Sequence, residues 1–317
     1  MKKVLITGAY GLLGISLVNL FLRKKVKVVI FDYKKTDKRK KFFLKSKNLI
    51  IEKGLFINFK NLDGIFKKHV FDGVFHLGAQ TQVLKAYKKP LETYQTNIIG
   101  TLNLLEILRK QKLNIPFLYS STDRVYGELK KNFYHENDKL NASFPYDTSK
   151  STSDLICQSY SKTYNIKIGI IRSANIFGEC DFNLNRIIPE TIISILKNKK
   201  LKIRSSGKQK RDYIYVEDVS RAYYQVFLKL KKNKNKLLIY NTASKYNLNA
   251  LQLIKIIYKI LNTKKNYVIK NISKVEIHNP RLNFDKIKKE IGWSPIYSLD
   301  YGLKKTIHWY KENISHF

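Results

Sequence analysis

Gly8, Gly11 and Gly14 stand three residues apart, between an apolar, β-branched stretch over 3–7 and a segment, 12–24, whose Leu13, Leu17, Leu20 and Phe21 share one helical face. Glycine lets a backbone turn tightly and approach a pyrophosphate. The helix that follows offers that anion free N–H groups and the positive end of its dipole. Asp32 ends a second strand-like stretch, 26–32, 18 residues after Gly14. A carboxylate there accepts both hydroxyls of an adenosine ribose and repels a 2′-phosphate, which favours NAD over NADP. In the opposite reading Asp32 only caps a loop, and Lys34 and Lys35 would hold a phosphate. The spacing is G-x-x-G-x-x-G rather than G-x-G-x-x-G, so its weight comes from the strand, turn, helix and strand around it. The same glycines argue against reading the charge-free run 4–22, behind Lys2 and Lys3, as a targeting signal or a membrane span. A cytoplasmic protein is expected.

Strand and helix patterns go on alternating. Strands are expected over 73–77, 117–121 and 166–172, with long helices over 91–112 and 146–164. That alternation predicts an α/β fold, a Rossmann-type doubly wound parallel sheet covered on both faces. In the second half, helices are expected over 185–198, 216–229, 249–261 and 300–312, with a strand over 237–241. No repeat and no Pro/Gly/Ser-rich linker divides the chain. One compact body with a cleft between a larger and a smaller region follows. The two cysteines, Cys157 and Cys180, are expected to be ordinary buried thiols. The formal net charge of +37 raises nucleic-acid binding as a function. Lysine is spread over nearly every surface segment, however, and no aromatic–basic RNA-binding motif is present, so no specific nucleic-acid partner is expected. The field would attract anionic nucleotides.

Tyr146 and Lys150 lie four apart at the start of a helix, directly after Pro145, and so share a face. An ammonium beside a phenol favours the phenolate. Such a tyrosine takes a proton from a hydroxyl while hydride leaves the same carbon. Residues 118–127 add a strand ending in hydroxyls, then Asp123, then Gly127. Ligands bind at the carboxyl ends of strands in such sheets. Thr122 is placed to bond the same hydroxyl as Tyr146, and Asp123 to protonate a leaving hydroxyl. Arg186, Arg204, Arg211 and Arg281 are candidates to clamp a diphosphate, since the guanidinium fork matches phosphate. Glu217 and Asp218 open a helix and read as caps. His76 reads as structural, and no metal-binding cluster is visible.

Together these residues resemble the extended short-chain dehydrogenase/reductase superfamily of nucleotide-sugar enzymes. The resemblance spans nearly the whole chain and includes 76–80, 90–97 with Gly100 and Thr101, 172–178, 211–218 and 291–295. Within the superfamily the chain is most similar to CDP-glucose 4,6-dehydratases, on 90–101, 146–164, 185–189 and 203–208. The resemblance implies that NAD is held by Gly8, Tyr10, Gly11, Leu12, Gly14, Asp32, Leu77, Ala79, Tyr146 and Lys150. It also marks Asn175 and Arg211 as the best phosphate contacts, with Arg281 next. It implies oxidation at C4 of the sugar, loss of water across C5–C6 with Asp123 as the acid, and hydride return to C6. A Rossmann domain is expected over 1–172 and about 208–243, and a nucleotide-sugar domain over about 173–207 and 244–317. A homodimer built from the two long helices, 91–112 and 146–164, is expected as well.

Two positions depart from that pattern. Leu55 stands where the family often has Asp. Arg124 follows Asp123 where dehydratases carry Glu or Lys as the base for the C5 proton. Guanidinium stays protonated, so Arg124 is a poor base. Another group then takes that proton, or Arg124 only stabilises the enolate, or the chain is an epimerase working through the same 4-keto intermediate.

Overall fold

Twelve strands and eleven helices occur among residues 2–33, 38–128, 131–272 and 281–317, which the computed structural model describes. The strands are β1 (Lys3–Thr7), β2 (Lys27–Asp32), β3 (Leu49–Lys53), β4 (Gly73–His76), β5 (Phe117–Thr122), β6 (Ile168–Ser173), β7 (Asn175–Phe177), β8 (Leu201–Ile203), β9 (Lys210–Tyr215), β10 (Leu237–Thr242), β11 (Asn247–Asn249) and β12 (Tyr267–Ile269). The helices are α1 (Leu12–Arg23), α2 (Phe59–Lys68), α3 (Val83–Lys88), α4 (Pro90–Tyr94), α5 (Gly100–Lys110), α6 (Pro145–Tyr164), α7 (Ile187–Leu196), α8 (Val216–Lys232), α9 (Ala250–Ile260), α10 (Asp285–Ile291) and α11 (Leu299–Glu312).

Seven strands form one parallel sheet in the order β10-β6-β5-β4-β1-β2-β3. Side chains alternate across it, as the two-residue period of a strand requires. Val4, Ile6, Val28, Ile30 and Phe75 face a core shared with Phe21 of α1 and with Tyr223 and Phe227 of α8. Leu5, Val29, Phe31, Val74 and Phe117 face a second core, shared with Leu62 of α2, Leu104 and Leu108 of α5 and Cys157 of α6. Both faces are covered, which is why these strands read as nearly unbroken apolar runs. The chain order reverses at β1, between β2 and β4, so a crevice opens at the carboxyl ends of β1 and β4.

A smaller mixed region carries the sheet β11-β9-β7 and the pair β12-β8, covered by α7, α9 and α11. Its cores join Ile188, Ile192, Leu253, Leu303 and Tyr310, and separately Leu201, Ile203, Ile254 and Tyr258. Asp218 is not the helix cap expected for it. Its carboxylate accepts the backbone N–H groups of Ile296 (2.9 Å) and Tyr297 (3.2 Å) and pairs with Arg221, fastening the segment before α11 onto α8.

The helix expected over 91–112 is in fact α4 and α5 joined by a π turn, Gln95–Ile99. Widening the coil frees the Asn97 carbonyl, which accepts from Thr101 Oγ1 (2.6 Å) and Ser153 Oγ (2.9 Å). The buried Asn97 amide then accepts from the Gln80 N–H (2.7 Å) and donates to the Gln80 carbonyl and Ser149 Oγ. This inserted turn ties the segment after β4 to the start of α6.

Candidate active site

The three glycines do three different jobs. Gly8 has φ +69°, and a Cβ there would sit 2.5 Å from the Gly78 backbone nitrogen. Only glycine allows that turn and that approach. Gly14 lies in α1, where a Cβ would meet the Gly8 carbonyl at 2.4 Å, so it lets helix and turn close on each other. A Cβ on Gly11 would touch only the Gly8 oxygen, at 3.4 Å, and Gly11 begins α1 with no side-chain cap. The uncapped first turn therefore presents its N–H groups to the crevice. Asp32 lies at the end of β2, next to this turn, since Thr7 pairs in register with Phe31. This cradle fits a dinucleotide pyrophosphate with a ribose on Asp32. Leu12 starts α1, and Leu77 and Ala79 line the segment after β4 around Gly78. The Tyr10 side chain is buried and packs against Phe43, 5.3 Å between ring centroids, and its carbonyl accepts from Arg39 Nη1 (3.0 Å). Lys34 and Lys35 lie outside the described residues.

The reactive groups sit at the carboxyl end of β5 and the amino end of α6. Thr122 Oγ1 donates to Asp123 Oδ1 (2.9 Å), and the 3-10 turn Asp123–Tyr126 begins there. Asp123 is buried, and burial raises its carboxyl above the usual range, against the pull of Thr122, Arg124 and Arg211. Such a carboxyl holds its proton to higher pH and suits an acid. Proline at the first position of α6 presets its start, and Tyr146 and Lys150 follow on its buried face. Burial pushes the Tyr146 phenol up to about 12, opposed first by Arg124 and then by Arg186. Lys150 was expected to supply that opposition. Its ammonium instead lies 4.5 Å over the Tyr119 ring, and burial pushes its pKa down to about 8.

The arginines divide. Arg186 acts on Tyr146 and also pairs with Asp181 (3.2 Å). Arg211 acts on Asp123, while Arg281 acts on Asp212, which in turn is raised to about 6 chiefly by burial and also feels Asp123. Asn175 is exposed on β7, in register with Tyr213 of β9, and so lies beside Arg211 and Asp212. Arg204 is set apart: it is engaged with Asn185 and with Glu190 of α7 (2.9 Å), which ties a loop to a helix.

Sequence reasoning assigned nothing to two of the residues that shape this site. Asp147, next to Tyr146, holds Arg124 through Nε–Oδ1 (2.6 Å) and Nη2–Oδ2 (3.1 Å). Asp154 holds the buried Arg172 through two bonds of 2.9 Å and also accepts from Ser121 Oγ, bracing β5 and β6 behind the site. An acidic residue directly after the tyrosine, with an arginine one position after Asp123, was the readable signal for the first pair.

Comparison with known proteins agrees with this geometry. Residues 4–243 match the model of the NAD dependent epimerase/dehydratase family. A dTDP-D-glucose 4,6-dehydratase of Dictyostelium discoideum is 29% identical, over 99% of this chain and 82% of its own. The solved UDP-glucose 4-epimerase of Thermotoga maritima, with UDP-glucose, superposes with a TM-score of 0.90 at 26% identity, over 98% of this chain and 99% of that one. The dTDP-glucose 4,6-dehydratase of Bacillus anthracis, in complex with NAD, gives a TM-score of 0.88 at 26% identity, over 99% and 98%. A glycine cradle at the sheet's reversal point, an acid and a phenol at the next strand end, and a family match over three-quarters of the length converge: the chain belongs to the NAD-dependent epimerase/dehydratase family of enzymes.

Proposed function

We propose that the chain is a nucleotide-sugar 4,6-dehydratase. The observation that carries this reading is the buried Asp123 carboxyl, bonded to Thr122 and electrostatically coupled to Tyr146. Elimination of water needs an acid for the departing C6 hydroxyl, whereas epimerisation at C4 needs none. Bound NAD supplies the hydride acceptor and donor. Tyr146 takes the proton of the C4 hydroxyl, Thr122 hydrogen-bonds that oxygen, and Lys150 orients the cofactor side of the phenol. Asp123 protonates the C6 oxygen as it leaves. Asn175, Arg186, Arg211 and Arg281 hold the diphosphate, with Arg204 keeping the adjoining loop in place. We assign residues 1–172 and about 208–243 to the cofactor domain, and about 173–207 and 244–317 to the sugar-nucleotide domain. Cytidine is our reading of the base, on the resemblance of 146–164 and 185–189, although the relatives above are named for dTDP- and UDP-sugars. We further assign the assembly as a homodimer through α4, α5 and α6. Those helices pack together, yet leave Leu91, Ile99 and Leu155 exposed.

Arg124 supports the second reading, an epimerase, because a guanidinium fastened to Asp147 does not remove the C5 proton. The test is turnover of CDP-, dTDP-, UDP- and GDP-glucose in deuterated water, read by mass spectrometry. Loss of one water with deuterium at C5 and a 4-keto-6-deoxy product is the expected result. An unchanged mass with a new stereoisomer would replace the dehydratase by the epimerase.

A further inference from the structure

We infer that Arg124, clamped side-on by Asp147, is the fixed cation that faces the sugar's C4 oxygen, and that Asp147 is a positioning residue acting through it. This rests on the 4,6-dehydratase reading above, because epimerisation at C4 by hydride transfer alone removes no carbon-bound proton. The clamp uses Nε and Nη2 of Arg124 and both oxygens of Asp147. Among the described residues, Nη1 makes no further hydrogen bond. The pair is lopsided: the Asp147 side chain is 1% exposed and the Arg124 side chain 19%. A pair serving only to fasten helix to loop has no need to leave its cationic member the more exposed. The backbone is fixed too, since the Arg124 N–H reaches Thr122 Oγ1 (3.4 Å) within the turn that carries Asp123. Arg124 thus follows Asp123 in that turn, is bonded to the neighbour of Tyr146, and acts electrostatically on both reactive groups.

The chemistry asks for such a donor. Oxidation turns the C4 hydroxyl into a carbonyl; its proton would pass to Tyr146 and its hydride to NAD when that is bound. Removal of the neighbouring carbon-bound proton then places negative charge on that carbonyl oxygen. An N–H donor held where the charge develops stabilises the transition state without reorganising. Arginine suits this role because it keeps its charge and never takes the proton itself. Lysine fails on geometry: one ammonium cannot span both Asp147 oxygens and still present a rigid donor to the cleft. No bond is made or broken at Arg124, and the carbon acid's proton goes to a different group.

Turnover by the parent enzyme with the four nucleotide sugars comes first. If none loses water, the dehydratase reading itself fails. With a reacting sugar in hand, kcat, KM and melting temperature are measured for Arg124→Lys, Asp147→Asn, the double Arg124→Lys/Asp147→Asn, and Arg124→Gln/Asp147→Asn, a neutral pair that keeps hydrogen bonds. The neutral pair should lose kcat by about 30-fold or more, with KM within about 3-fold and melting close to the parent. Arg124→Lys should retain less than about a tenth of kcat. Asp147→Asn should cost about 10-fold in the parent but under about 2-fold in the Arg124→Lys background, because residues acting as one unit are not additive. A neutral pair with parental kcat overturns the inference. So does an equal cost of Asp147→Asn in both backgrounds.

Discussion

His76 shows how a single side chain is fixed by its neighbours. Thr101 Oγ1 donates to the Asn97 carbonyl (2.6 Å), so it accepts from His76 Nε2 (3.1 Å). Nδ1 is then the acceptor, and the Thr7 hydroxyl donates to it at 2.7 Å, while Thr7 Oγ1 in turn accepts the Gly78 N–H (3.3 Å). The neutral Nε2–H tautomer follows from this network. Burial, with Lys150 nearby, lowers the imidazole's pKa from 6.5 to about 3. The unfolded chain therefore binds a proton between these values that the native one does not. Stability is complete above about pH 6.5 and falls as pH drops toward 3, by at most about 1.4 kcal/mol per pH unit. His76→Gln should flatten the slope of melting temperature against pH below 6.5; an unchanged slope would mean that other groups set it. The sequence marked His76 as structural, and it marked Thr122, Asp123, Tyr146 and Lys150 by residue type and spacing. It did not reveal that Lys150 lies on Tyr119 or that Arg124 belongs to Asp147, because both are contacts between separate elements.

Elements with long, periodic apolar faces were readable within a few residues: α1, α6, α8, α9 and α11 all lie where the pattern put them. The third strand unit was missed. β3 is five residues with lysine-rich chain before it, and α2 shows only three buried side chains, Leu62, Ile65 and Phe66. β7, β8, β11 and β12 have three residues each, too few to display a period of two. The π turn was hidden for another reason. It exists to satisfy Asn97 against Gln80 and Ser149, and neither partner is visible from the helix's own sequence. The glycine turn is where element geometry is most exacting. Gly8→Ala, forced to positive φ and against the Gly78 backbone, should cost more than about 2 kcal/mol and abolish NAD retention. Gly11→Ala has room within the fold, so its melting temperature should stay near the parent while NAD affinity falls. Calorimetry and cofactor titration separate the two. Equal stability losses would show that both glycines serve only the turn.

On the scale of the whole molecule, no described helix is long and apolar enough to cross a membrane. Leu84, Tyr87, Leu91, Ile99 and Leu155 are nevertheless exposed on α3, the α4–α5 segment and α6. If a second copy covers them, Leu91→Glu with Leu155→Glu should convert a dimer to a monomer in light scattering, with parental far-ultraviolet dichroism. A parent that is already monomeric rejects the homodimer.

The position of β10 also shapes how the chain is born. Its partner β6 is complete at Ser173, but β10 begins only at Leu237, after the excursion that supplies β7, β8 and β9. While a ribosome makes residues 174–236, the nascent sheet carries β6 as an open edge, its backbone unpaired on one side and rich in isoleucine. Such an edge is a template for sticking to other chains. Nascent chains stalled or cut before Leu237 should therefore collect in inclusion bodies more than those extended past Thr242, which makes translation speed through this stretch a determinant of yield.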